Sequence, residues 1–292
     1  MHQIHAMLYL IFSIICSVSV GIIFKFSRQY STILSQIVVW NYLFALLLCY
    51  LFYSPDITVV NDSAPWAIYL TLAVLMPSIF IILATSIKHM GIVRTDAAQR
   101  LSLFIPILAS WFLFGENIYI LKLAGLAIGF PAILLIFSRR DESSGKKWVY
   151  PALVLLGFGI VDVLFKQIAL VTDIPYSTSL FIVFSGALLI AAFIALQEVI
   201  VKKAKVTTMS FAFGMLIGIF NFGNILFYLM AHREFKENPS TVFATMNIGV
   251  IVLGSIAGIL LFKEKMTKLN YVGLVMAVLA IILITLSQIY IT

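Results

Sequence analysis

Leu113-Phe114-Gly115-Glu116 and, 148 residues further on, Leu261-Phe262-Lys263-Glu264 are nearly one stretch written twice. At the same offset Leu121 matches Leu269, Gly125 matches Gly273 and Leu126 matches Leu274, so six of fourteen positions are identical. Leu and Phe coincide by chance in an apolar chain, but Glu and Gly are sparse here, and their common spacing marks an internal repeat. A weaker match at an offset of 141 sets Phe24-Lys25 against Phe165-Lys166. A small insertion between the two regions reconciles the offsets, and the chain divides into two similar halves.

Composition says what each half is made of. Of 292 residues, 62% are hydrophobic and 11% charged, with a mean hydropathy of +1.10. Soluble domains carry roughly a quarter charged residues, so this surface faces lipid. A hydrocarbon core about 30 Å thick takes about 20 apolar residues per helical span. Apolar runs of that length predict helices at 5–24, 34–53, 66–87, 95–114, 119–138, 149–170, 176–197, 208–230, 241–262 and 269–290. Turn residues mark the breaks, among them Ser54-Pro55-Asp56, Asn61-Asp62-Ser63 with Pro65, and Asn238-Pro239. The expected fold class is an all-α membrane protein of ten transmembrane helices. Residues 1–138 form the first five-helix repeat, 139–148 a charged linker, and 149–292 the second repeat. Five is odd, so the halves are expected to cross the membrane in opposite senses, as inverted repeats.

The net charge of +7 does not point to nucleic acid. Its basic residues sit in short loops, such as Arg139, Arg140, Lys146 and Lys147, or Lys202, Lys203 and Lys205, where they orient spans and meet anionic headgroups. Cys16 and Cys49 lie inside apolar runs and read as small buried hydrophobes. The first run is preceded by His2 and His5 rather than Lys or Arg, so it reads as a membrane helix and not a signal peptide.

These residues resemble the drug/metabolite transporter superfamily, in particular its EamA-like ten-helix members. The match rests on Leu113-Phe114-Gly115-Glu116 with Gly125, on Leu261-Phe262-Lys263-Glu264 with Gly273, and on the run from Ala84 through Lys88-His89-Met90-Gly91 and Ala97-Ala98 to Pro106. The resemblance covers essentially the whole chain and implies export or import of small metabolites, often with protons as the coupling ion. It leaves the substrate open and implies both termini inside the cell.

Ionisable side chains inside spans are costly, by about 2.5–3.5 kcal/mol each on insertion scales, so they are candidates for function. Asp96 and Arg100 in the fourth span, and Asp162 and Lys166 in the sixth, stand four apart and share a helix face. Lys25 closes the first span opposite Lys166 in the repeat. The expected substrate-binding residues are Lys25, Asn41, Arg100, Asp162, Lys166, Asn221, Asn224 and Tyr228. The last three lie on one face of the eighth span, with Gln99 and Asn247 as further polar groups. Two lysines from related helices, Lys25 and Lys166, are expected to converge on an anionic group of the substrate. Each candidate also has a structural reading: paired charges entering the bilayer together, snorkelling for Lys25, and interhelical hydrogen bonding for the amides. Glu116 and Glu264 are expected to satisfy backbone donors at the start of the next helix. Gly125/Gly129, Gly214/Gly218 and Gly254/Gly258 are expected at close helix contacts. Pro106 corresponds to Gly254 at the offset of 148, a pair of helix breakers expected near the bilayer midplane.

No enzyme constellation is present in the sequence. There is no His-Glu-x-x-His, and the four histidines are scattered. Gly159-Ile160-Val161-Asp162 lacks the second glycine of the intramembrane aspartyl protease motif, and Phe184-Ser185-Gly186 lacks the glycine two residues before the serine of a rhomboid-like protease. The expectation is a secondary transporter in the cell membrane, without metal or cofactor, acting as monomer or homodimer on a small-molecule substrate. The alternative is a multi-pass enzyme or flippase acting on a lipid-linked substrate.

Charge bias yields a topology. Loops after the odd-numbered spans hold about fourteen Lys and Arg and the others about four, so the first set is cytoplasmic by the positive-inside rule. Thr292 is then outside, against the arrangement that the resemblance implies. An alkaline phosphatase fused after Thr292 is expected to be active and a fluorescent protein at the same point dark; the opposite pair of results reverses the topology.

Overall fold

A computed structural model describes residues 2–27, 29–62, 64–90, 95, 98–99, 101–116, 119–136, 149–203, 205–262 and 267–289. The elements that it places are α1 (His2–Ser27), α2 (Leu34–Tyr53), α3 (Trp66–Met90), α4 (Phe104–Phe112), α5 (Ile120–Ile136), α6 (Val149–Leu170), α7 (Tyr176–Lys202), α8 (Thr208–Glu234), α9 (Pro239–Phe262) and α10 (Lys268–Ile289), with a 3₁₀ turn at Ile57–Val59. Asp96, Arg100, the 139–148 linker and Lys263-Glu264 lie outside the described residues. Helical structure is what the bilayer requires, since it satisfies backbone donors and acceptors within each segment. Seven helices, α1 to α3 and α6 to α9, are long and apolar enough to cross a membrane. Two shorter apolar stretches, Ile120–Leu135 and Lys268–Ile284, accompany them. This is a multi-pass helical membrane protein.

The fourth expected span departs from a continuous helix. Pro106 has no N–H to give the carbonyl of Ser102, and its ring would crowd that oxygen. The Ser102 carbonyl instead accepts from the Ile105 N–H at 3.0 Å, and the chain turns at Ser102-Leu103 before α4 begins. Pro106 thus falls in the first turn of a helix, where its missing donor costs nothing. The expected partner breaker behaves otherwise: α9 runs unbroken through Gly254, which has open space around it.

Most of the extensive packing joins the first five helices to the last five. α1 packs on α8 and α9, α2 on α7 and α8, α3 on α6 and α7, α4 on α6 and α9, and α5 on α10. α1 and α8 are antiparallel: Tyr9 and Phe12 meet Phe227, Ser13 meets Asn224, and Tyr30, just beyond α1, packs on Phe213.

Small residues set the closeness of these contacts. A Cβ on Gly218 would lie 2.7 Å from the Asn41 carbonyl oxygen, and one on Gly214 would lie 2.9 Å from that of Ile37. On Gly125 it would meet Ile284 at 2.7 Å and the Ala280 carbonyl oxygen at 3.1 Å. Backbones therefore touch where α8 crosses α2 and where α5 crosses α10, as the Gly214/Gly218 and Gly125/Gly129 spacings suggest. Lipid tails are as apolar as these side chains, so close packing, not hydrophobic burial, holds such helices together.

Polar groups lash the ends of the bundle. At the start of α2, the Gln36 amide donates to the Lys205 carbonyl at 2.9 Å and accepts from the Thr207 N–H at 3.1 Å. Beside it Ser35 donates to Glu198. At the other end Tyr69 and Ser179 share a hydrogen bond of 2.8 Å, and Thr178 donates to the Asp56 carbonyl at 3.3 Å. In that loop the hydroxyl and N–H of Thr58 donate to the Asp56 carboxylate and hold its pKa below the usual range.

Gly214→Ala and Gly218→Ala are each expected to lower the thermal unfolding temperature in detergent, by about 1–3 kcal/mol of overpacking. Gly21→Ala, whose Cβ meets nothing within 4 Å, is the control and should be neutral or stabilising. Equal behaviour of all three would remove close backbone approach as the basis of the α2–α8 contact.

Candidate functional site

A cavity of about 160 Å³ lies between the two sets of helices. The first set supplies Ser17 from α1, Tyr42 from α2, Phe80 from α3, and Gln99 and Ser102 from the segment that precedes α4. The last five supply Phe158, Asp162 and Phe165 from α6, then Asn221, Asn224 and Tyr228 from α8, and Asn247 from α9. The Pro106 break positions two of these groups: Ser102 closes the turn by donating to the Gln99 carbonyl at 2.6 Å.

Asp162 is the acidic group of the lining. Its Oδ1 accepts from the Tyr228 hydroxyl at 3.0 Å, and the Asn247 side chain lies against the same carboxylate. Asn224 is held from α1, where Ser13 donates to its Oδ1 at 2.9 Å. Asn221 donates to the Asn41 Oδ1 at 3.0 Å. Asn41 therefore stands behind Asn221, and its own Nδ2 is buried without a partner. The Tyr42 hydroxyl is likewise buried and unpartnered, and Tyr42 lines the cavity.

Of the residues expected to bind substrate, the structure gathers Asp162, Asn221, Asn224 and Tyr228 around one space. Asn41 supports them, and Arg100 lies outside the described residues. The two lysines do not converge. Lys166 is fully buried and donates to the carbonyls of His232 at 3.3 Å and Lys236 at 3.1 Å, at the C-terminal end of α8. Lys25 is exposed at the end of α1 that meets the start of α8. Phe213 and His232 mark those ends of α8 and stand about 28 Å apart along the helix at 1.5 Å per residue. The sequence match at the offset of 141 therefore does not bring the two lysines together. Lys166 and Asp162, though one turn apart, form no ion pair among the described residues.

Ser17, Ser102 and Tyr42 complete the lining without having stood out in the sequence. A serine in a span has a local use, bonding the carbonyl a turn behind, so its presence signals little. Tyr42 was detectable only as the neighbour of Asn41.

A second polar centre lies where α4, α5 and α9 meet. Gly115, at φ +63, turns the chain so that Glu116 reaches across to α9. There Glu116 Oε2 accepts the Ser240 N–H at 2.8 Å, Oε1 accepts the Ser240 hydroxyl at 2.7 Å, and Lys122 donates at 2.5 Å. Lys122 also donates to Asn238 at 3.1 Å. The carboxylate does satisfy a helix N-terminus, and among the described residues it is that of α9, 124 residues later in the chain. Glu116 and Lys122 are both buried. Among the described residues no group of three or more His, Cys, Asp and Glu is placed to hold a metal ion.

No family model matches this chain. A Haemophilus influenzae (strain ATCC 51907 / DSM 11121 / KW20 / Rd) protein described as uncharacterized is 38% identical over 282 residues, which covers 93% of this chain and 95% of that one. A protein solved by crystallography superposes with a TM-score of 0.74 over 96% of each chain at 14% identity, so the two share a fold.

Glu116→Gln leaves the Lys122 ammonium buried without its counter-charge, and breaking such a pair costs about 3–5 kcal/mol. The variant is expected to lose monodisperse protein on detergent extraction. Adding Lys122→Met removes the stranded charge and should recover most of the loss; failure of the double variant to recover would show that capping of α9, and not the ion pair, is what stabilises this corner.

Proposed function

We propose that this chain, which belongs to one family with the uncharacterized Haemophilus influenzae protein, is a secondary transporter of a small metabolite in the cell membrane, built as ten spans in two inverted five-helix repeats. The reading extends to membership of the drug/metabolite transporter superfamily in its EamA-like branch. The observation that carries it is the cavity, which draws its lining from both sets of helices. A site formed between two halves opens to one side or the other as the halves rock, which is the geometry of alternating access.

The helix contacts support the repeat. Advancing every helix by five turns α1 against α8 into α6 against α3, α1 against α9 into α6 against α4, and α2 against α8 into α7 against α3. Each product is itself a contact in the structure, and α2–α7, α4–α9 and α5–α10 map onto themselves. The offset of 148 also carries Gln99 onto Asn247, and both amides line the cavity. A helix interrupted beside a cavity, as at Ser102-Leu103, is the form in which non-helical backbone is tolerated at membrane depth.

Gating then has a physical description. Gln36 and Ser35 join the halves at one end of the bundle, and Glu116 with Ser240 joins them at the other. Rocking in either direction breaks one set while keeping the other.

Purified protein in liposomes is expected to exchange a labelled solute across the bilayer without changing its mass. Pro106→Ala, which lets the helix run through Ser102 and withdraws Gln99 from its position, is expected to slow that exchange at least tenfold at equal protein in the membrane. A solute converted into a product of different mass would overturn the reading in favour of an enzyme.

A further inference from the structure

We propose that the cavity binds a small organic cation, a monoammonium compound with a compact apolar body, and that Asp162 is its counter-charge. Asp162 is the one acidic or basic residue in the described lining. Among the described residues Lys166 is one helical turn away on the same helix but commits its ammonium to the carbonyls of His232 and Lys236. The groups that do touch the carboxylate, the Tyr228 hydroxyl at 3.0 Å and the Asn247 amide, are neutral. They orient the carboxylate without cancelling its charge, and a carboxylate accepts about four hydrogen bonds. An ionised group at this depth is costly unless a charge of opposite sign joins it.

The rest of the lining suits the same ligand. The rings of Phe80, Phe158 and Phe165 surround the space, and aromatic faces attract ammonium groups while also packing on an apolar body. The Tyr42 hydroxyl lines the cavity fully buried with no partner; a buried polar group without a partner in the free protein points to one supplied from outside. Size narrows the choice further. The cavity volume of about 160 Å³ is close to that of an engineered cavity of about 150 Å³ that takes up benzene, which sets the ligand at roughly six to nine heavy atoms. This assignment replaces the anionic substrate expected from Lys25 and Lys166, neither of which lines the cavity.

Release of the cation on the other side of the membrane rests on the transport reading, but binding is measured without transport. Benzylammonium, benzyl alcohol and benzoate have nearly one shape and differ in charge. Thermal unfolding of the purified full chain in detergent, titrated with each, reports binding because a ligand of the folded state raises the midpoint. Benzylammonium is expected to bind at least tenfold more tightly than benzyl alcohol, and benzoate more weakly than either. Asp162→Asn is expected to remove the preference for the cation over the alcohol, and Tyr42→Phe to weaken both. Equal or tighter binding of benzoate or benzyl alcohol by the unmodified protein overturns the proposal, and that result needs no variant to fold. Counterflow of the same three probes in liposomes separates the two claims. Cation-selective binding with no flux of any probe sustains the site and overturns the transporter; flux of benzoate alone does the reverse.

Discussion

Inside hydrocarbon no water is at hand to satisfy a polar group, so a donor or acceptor that this chain carries into the bilayer is costly unless it finds a partner on protein. The backbone meets that constraint by being helical. The side chains meet it across helices: Asn41 with Asn221, Ser13 with Asn224, Tyr228 with Asp162, and Glu116 with both Lys122 and the first turn of α9. Such bonds do more to fix register than to supply stability, since each is worth about 0.6 kcal/mol on average in membranes. They choose which helix faces meet, and the glycines at 214 and 218 then let those faces close to backbone contact.

Helix positions were legible in the sequence because hydropathy changes sharply at their ends. The expected ranges 34–53 and 149–170 coincide with α2 and α6, and the others except the fourth differ by a few residues at their ends. The break in the fourth span was not legible, because hydropathy does not say whether the proline interrupts the helix at Ser102 or at Pro106 itself. The stripe of Asn221, Asn224 and Tyr228 was readable from 3.6-residue spacing, which places one face of one helix. What that face meets was not, since Asp162 comes to Tyr228 from a different helix and 66 residues away. The lysines mark the same limit from the other side. Repeat arithmetic pairs Lys25 with Lys166, while the structure places them at opposite ends of α8.

The sequence match between the two halves is least exact where the chemistry is concentrated. At the offset of 141 the residue corresponding to Asp162 is Gly21, which stands in open space on α1. Gln99 and Asn247 remain matched amides. Among the described residues the cavity therefore has neutral hydrogen-bonding groups from both sets of helices but a charge from the last five alone, and the proposed ammonium is held off centre, against α6 and α8.

The interleaving of the halves has a consequence for how the molecule comes into being. Ribosomes deliver about 5–20 residues per second, so on the order of ten seconds or more separates insertion of α1 from that of α8. Through that interval the early helices sit in lipid with few neighbours of their own: Ser13 waits for Asn224, Asn41 for Asn221, and Glu116 for Ser240. A nascent chain in this condition exposes polar side chains to acyl tails and is a natural client for whatever holds helices at the site of insertion. Translation thus sets the clock for assembly, and the order of synthesis makes the last-made helices the ones that release the first from waiting.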